Sequence, residues 1–382
     1  MKKLMLLNKI WIALFLLSAF TAGAQDKYYQ LSGKDALKTS DSKALKKSGT
    51  CWSNAGTAFL EAEWLRLGKA PLDISVMHFV HTIYLKKADV FIDSDKTLHV
   101  DPVGTAFDVV MLSDEFGMIP EEAYMYPEAS RMGSKIQEGE MDAKLRGTLQ
   151  MVQRNGEGFS ERWENIFNTT LLTYIGDSKL DFTYKGEKYS PQSFAAASGL
   201  SMADYILLSA DPNAAKNKSV KLDLNENWAG YNAFNVPTAE MIEAVKASIQ
   251  AGYTVLWYGA LDNEFLFEDE NMAIVPASGT MPGEKADNDG EVEEEFVPVP
   301  EASITDEMRT EALKENMQKE QDYLLIFGLA SDQKGNEYFK AKKVCAEGNH
   351  VFNMSKAFVD LNTIYLMANK NGLPADLQKL LK

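Results

Sequence analysis

The chain has 382 residues, 45% of them hydrophobic and 25% charged, and a formal net charge of −16 at pH 7. Such a balance fits a globular protein of one large domain or two lobes, and no segment after the first two dozen residues is apolar for long enough to span a bilayer. The acidic excess argues against nucleic acid as a partner, and two cysteines, Cys51 and Cys345, cannot build a disulfide framework.

At the start of the chain, Lys2, Lys3 and Lys9 precede an apolar run over residues 10–20 that ends near Ala22-Gly23-Ala24. This is the pattern of a secretory signal peptide over residues 1–24, cleaved near Ala24, with an uncleaved signal anchor as the alternative. No cysteine follows the run, so no lipid anchor is expected. The mature chain is read as a soluble exported protein, periplasmic or secreted, with no stable membrane anchor. Losing a leader with three lysines and no acids takes the charge from −16 to −19.

Next comes Ser48-Gly49-Thr50-Cys51-Trp52-Ser53, followed by Ala55, Ala58, Phe59, Ala62 and Leu65 at helical spacing, with Gly68 as a stop. This places the Cys51 thiol at a helix N-terminus with one helix face buried. There the helix dipole and unpaired N–H groups favour thiolate. A buried small core residue is the competing reading.

Helical period continues over residues 74–88, 106–116, 141–152, 239–251 and 305–317. His78 and His81 fall at i, i+3 on one of these helices, half of a metal site without a third ligand. No metal or other cofactor is expected. Residues 279–301 combine Gly, Pro and the acids Glu291, Glu293, Glu294 and Glu295, which reads as an exposed loop. Strand character gathers late, over residues 253–258, 324–329, 338–341 and 363–367. The pattern is α+β, with a helical lobe mainly over 48–250 and a strand-rich lobe mainly over 253–382.

Several stretches together resemble the bleomycin hydrolase and aminopeptidase C branch of the papain-like cysteine peptidases, in an exported bacterial form. They are the Cys51 motif with Phe59-Leu60-Glu61, Phe116-Gly117-Met118-Ile119-Pro120-Glu121-Glu122, Tyr184-Lys185-Gly186, Asn235-Val236-Pro237 and Phe327-Gly328-Leu329-Ala330. The first is the specific one, and the order of the rest matters more than any one of them. The resemblance implies a papain-like fold, a helical lobe facing an antiparallel barrel-like sheet lobe, with substrate in the cleft between.

Peptidases of this kind use a cysteine nucleophile, a histidine base, an asparagine that orients it and a glutamine at the oxyanion. Carried over residue by residue, only Cys51 is retained. The glutamine position holds Leu45, and the histidine position holds Asp322, or Tyr323 if the alignment slips by one. The asparagine position holds Lys343, and the neighbouring tryptophan position holds Cys345. Asp322 and Lys343 are expected to form an ion pair where imidazole and amide would meet. A disulfide between Cys51 and Cys345 stays open. His350, seven residues beyond Lys343, is read as a surface loop residue.

The resemblance with these losses implies a hydrolytically silent papain-fold protein that keeps a cleft for a peptide or protein ligand. An active cysteine aminopeptidase working through Cys51 is the alternative, and a thiol redox protein a third reading. The resemblance also raises a homo-oligomer, with the tail over residues 373–382 reaching toward the site.

Overall fold

The structure is a computed structural model and describes residues 28–33, 36–44, 47–93, 97–126, 135–155, 162–178, 181–261, 263–278, 282, 285–286, 292–293 and 296–381. The expected leader over residues 1–24, Leu45 and most of the acidic stretch lie outside the described residues.

Helix α1 (Cys51–Arg66) begins where the sequence places it, with Thr50 at its N-cap and Gly49 at φ 75° in the preceding turn. A left-handed residue at that turn favours glycine, which has no Cβ to clash. The helix stops at Gly68, whose N–H donates to the Leu65 carbonyl at 2.9 Å.

One buried face was expected, yet α1 is buried on all sides from Trp52 to Trp64. Helices α2 (Val76–Asp93) and α3 (Ala106–Phe116) cover part of it, and the sheet covers the rest. Its polar side chains therefore bond inside the protein, as burial requires. Ser53 Oγ donates to the Val76 carbonyl at 2.9 Å. Glu61 accepts from Lys43 Nζ at 2.6 Å and from the Ile74 N–H at 2.7 Å. Helices α1 and α3 approach so closely at Gly56 that a Cβ there would lie 2.5 Å from Val109.

Helices α4 (Lys135–Asn155), α5 (Arg162–Tyr174) and α6 (Pro191–Ser198) complete the helical lobe. The strand lobe begins earlier than the expected boundary at 253, because β1 (Tyr205–Ser209), β2 (Lys218–Lys221) and β3 (Asn232–Asn235) join the same sheet as the late strands. Those are β4 (Val255–Gly259), β5 (Leu266–Phe267), β6 (Met272–Ala273), β7 (Asp322–Ser331), β8 (Glu337–Lys343), β9 (Val351–Ser355) and β10 (Thr363–Asn369). The ten-stranded order is β2-β3-β1-β10-β4-β7-β8-β9-β6-β5. It is antiparallel except for the pairs β1 with β3 and β6 with β9, so the barrel-like antiparallel lobe of the sequence reading is a mainly antiparallel mixed sheet.

Both faces of its centre are buried, which explains why the strands read as continuous apolar runs rather than alternating ones. Tyr258, Tyr323, Leu325, Tyr365 and Met367 face the helical lobe. Their neighbours Trp257, Leu324, Ile326 and Leu366 face α7 (Thr238–Gln250) and α9 (Lys356–Asn362). Helix α8 (Asp306–Asn316) is tied to the sheet by buried Arg309, which donates to the carbonyls of Ala210 at 2.6 Å, Thr363 at 2.8 Å and Asp360.

Two further expectations change. The C-terminal helix α10 (Ala375–Leu380) buries Leu377, with Leu373 ahead of it, in the core on the sheet face away from the helical lobe, so the tail does not enter the cleft. Within the acidic stretch, Lys285–Ala286 pairs antiparallel with Val292–Glu293.

Two predictions follow from the helical lobe. Gly56→Ala should destabilise the protein by about 1–3 kcal/mol, because the added methyl has to displace Val109; urea unfolding measures it. The second concerns His78, whose imidazole burial pushes down to about 4 from 6.5 while its Nε2 meets the Gly117 carbonyl at 3.2 Å. The unfolded chain then binds a proton that the folded chain refuses. The His78 contribution is intact above about pH 6.5 and lost as pH falls toward 4, on the order of 3 kcal/mol in full. His78→Gln should show a shallower fall of Tm across that window than the parent.

Candidate active site

Strands β7 and β8 run antiparallel with Leu324 opposite Lys343, and Val344 N–H extends the ladder to the Tyr323 carbonyl at 3.4 Å. Alternation along each strand then sorts the side chains. Tyr323 and Val344 turn into the core shared with the helices. Asp322 and Lys343 turn the other way and meet diagonally across the strands, Nζ to Oδ1 2.9 Å. The ion pair expected at the histidine and asparagine positions is present.

Tyr323, the alternative residue, is only 5% exposed and packs between the lobes. Its ring packs 4.5 Å from that of Tyr258, and its hydroxyl bonds that of Tyr365 at 3.0 Å and accepts the Ala106 N–H at 3.3 Å. Tyr323 is thus the seam by which the N-terminus of α3 docks on the sheet.

Cys51 and Cys345 are both half-buried. The Cys345 thiol is the first cause pushing the Cys51 thiol above its ordinary value, followed by burial and the charges of Cys345 and Asp322, with Lys343 opposing. The Cys51 thiol in turn lowers the Cys345 thiol, against burial and Asp322. Burial also works against the Lys343 ammonium, yet the hydrogen bond and charge of Asp322 outweigh it and hold its pKa above the ordinary value.

The surroundings of Cys51 work against the thiolate that a helix N-terminus favours. A helix N-terminus stabilises an anion by roughly 0.3–1 kcal/mol, less than one pKa unit. Burial alone raises a thiol by several units. The groups that act on Cys51 are a thiol, a carboxylate and an ammonium, none of them imidazole.

His78, His81 and His99 lie elsewhere. His78 and His81 are buried in the helical lobe, with His81 Nε2 3.1 Å from Asn168 Oδ1. His99 lines a separate depression with Asp101 and Arg146. Among the described residues, no three His, Cys, Asp or Glu side chains gather into a metal site. His350 is exposed, with Nε2 3.0 Å from the Glu347 carbonyl. It nevertheless lines the same cavity of about 420 Å³ as Asp322, Lys343, Cys345, Glu268 and Phe352. The sequence placed His350 on a surface loop without connecting it to this cavity.

Two further neighbours escaped the sequence reading. Tyr258, whose ring senses the charge of Cys51, donates its hydroxyl to the Glu226 carboxylate. Nothing in a strand-forming run such as residues 255–259 marks one tyrosine as adjacent to a thiol 200 residues earlier, whereas Cys345 was marked by the position it occupies.

No family model matches the chain, and no curated protein matches it. Among solved structures, PepW from Lactobacillus rhamnosis HN001 is similar at a TM-score of 0.60 and 16% identity, over 92% of this chain and 84% of that one. Xylellain, a cysteine protease from Xylella fastidiosa, covers 91% of this chain and 92% of its own at a TM-score of 0.37 and 11% identity. The bromelain protease from Ananas comosus covers 86% and 94% at 0.33 and 9%. The chain has the papain-like α+β fold that the resemblance implies.

Near neutral pH, Cys51 should be alkylated more slowly than a free thiol, because its surroundings disfavour the thiolate. Mass-spectrometric labelling rates against pH check this, and a Cys51 thiolate present well below neutral pH would contradict it.

Proposed function

We propose that this is a papain-fold protein that keeps a ligand cleft and has lost the proton handling of a peptidase. Its ligand is a peptide or protein segment, and it works outside the cytoplasm after residues 1–24 are removed. The observation that carries the reading is the 2.9 Å ion pair of Lys343 with Asp322 at the two positions where a peptidase of this fold holds its base and the group that orients it.

Amide hydrolysis by a thiol needs a thiolate to attack and an acid to protonate the leaving amine. Here the Cys51 thiol is held protonated by Cys345, burial and Asp322. The proton donor nearest in type, the Lys343 ammonium, is engaged by Asp322 and held above its ordinary pKa, so it is a poor acid for a leaving amine. General acid–base help is worth roughly 10²–10⁴-fold, and an oxyanion donor a further 10²–10³-fold. Losing both lowers the rate by several orders of magnitude even when the effects are not additive.

A binding role asks less of the site. A cavity of about 420 Å³ offers Lys343 and Glu268 beside the apolar Phe352 and Leu261, a mixture suited to an extended peptide with polar and apolar side chains.

The purified, fully reduced chain should not release product from aminoacyl or peptidyl reporter substrates above the buffer rate. Cys51→Ala should match it in that assay and in peptide binding by fluorescence anisotropy. Turnover that is blocked by thiol alkylation and disappears in Cys51→Ala would instead establish a working aminopeptidase.

A further inference from the structure

We propose that the cavity between α2, α4 and the segment leading to α3 is a binding site for a free apolar α-amino acid, held as its zwitterion. The cavity measures about 260 Å³ and shares no lining residue with the one at Asp322 and Lys343. The inference is therefore independent of the proposed function, and either can fail without the other.

Helix α4 supplies Asp142, Arg146, Leu149, Gln150 and Gln153, which recur at i, i+4, i+7, i+8 and i+11 and so share one helix face. Phe91, near the end of α2, and Leu98, His99 and Asp101 complete the lining with their neighbours. Buried groups hold these walls from behind. Lys87 Nζ donates to Asp101 Oδ1 at 2.7 Å and to the Val103 carbonyl, and Trp52 Nε1 donates to the Pro102 carbonyl at 2.7 Å. Tyr84 donates its hydroxyl to Asp142 Oδ1 at 3.2 Å. Walls fixed before a ligand arrives leave little ordering to be done on binding.

Charge sets the class of ligand. Asp101 is neutralised by its ion pair with Lys87. Asp142 and Arg146 stand one turn apart on α4, the spacing of an i, i+4 ion pair. Asp142 instead takes the Tyr84 hydroxyl, and Arg146 has no hydrogen-bond or ion-pair partner among the described residues. The cavity thus offers one guanidinium without a partner, one carboxylate with acceptor capacity to spare, and an apolar surface from Phe91, Leu98 and Leu149.

A zwitterion matches all three. Its carboxylate receives the paired N–H donors of Arg146, its ammonium donates to Asp142, and its side chain lies on the apolar surface. A simple carboxylic acid would leave Asp142 facing it without a donor, and the carboxyl end of a peptide carries an amide where the ammonium is needed. The volume of about 260 Å³, below the roughly 300–1,000 Å³ of sites for drug-sized ligands, suits one amino acid rather than an extended peptide.

Isothermal titration of the full chain with L-leucine tests this, alongside leucinamide, which lacks the carboxylate, and 4-methylpentanoate, which lacks the ammonium. Leucine should bind, and each analogue should bind at least about tenfold more weakly, the factor that one charge-assisted hydrogen bond supplies. Arg146→Gln should weaken leucine at least about tenfold and leave leucinamide as in the parent. Asp142→Asn, whose amide oxygen still accepts from Tyr84, should weaken leucine by a similar factor and leave 4-methylpentanoate as in the parent. The analogue comparison uses the unaltered chain, so it decides the matter even where a variant fails to fold. Absence of leucine binding at millimolar concentration would overturn the proposal. Equal affinity for leucine and its two analogues would do the same, as would tighter binding of dileucine than of leucine.

Discussion

Enclosure of α1 is the constraint from which the site follows. A helix buried from Trp52 to Trp64 between two other helices and a sheet has no freedom to tilt or slide, so its first residue is delivered to a set point at the ends of β7 and β8. The enclosure depends on small contacts as much as on apolar area. Gly56 lets α3 approach, and the Tyr323 hydroxyl receives the first free N–H of α3. Burying thirteen consecutive residues of a helix also requires every polar one to find a partner. Hence Glu61 sits with Lys43, and Glu63 with Arg66 and Asn369.

Lys43, Glu61 and the tyrosine seam hold α1 in place, and the groups that act on Cys51 at its start include the Cys345 thiol, the Asp322 carboxylate and the Lys343 ammonium. Asp322 and Lys343 bridge β7 and β8. Such a pair is half-exposed and adds little stability, since solvent screens it. Its consequence is electrostatic: the Asp322 carboxylate raises and the Lys343 ammonium lowers the pKa of both thiols.

How much of this was legible varies with the range of the interaction. Helix α3 matches its apolar period at both ends, and α1 starts at Cys51 and stops at Gly68 because capping and glycine conformation are local. Strands β1 to β3 were missed, and with them the true start of the sheet lobe. Each is five residues or fewer, and β2 is mostly exposed, so neither length nor apolar pattern separates it from a loop. Helix α9 was also passed over, since a seven-residue segment offers less than two full periods to count. Asp322 and Lys343 were expected as a pair from the family resemblance, and the register of β7 with β8 brings them together.

The residues alone determined the α+β class and the place of Cys51 at a helix start, which follow from local periodicity and glycine geometry, while the meeting of Asp322 with Lys343 was what the family resemblance implied. Only the tertiary structure decided that Tyr323 is a seam between the lobes and that His350 shares a cavity with Asp322, Lys343 and Cys345. A thiol's ionisation depends on burial and on charges brought from distant parts of the chain, and those distances come into being only when the two lobes close on each other.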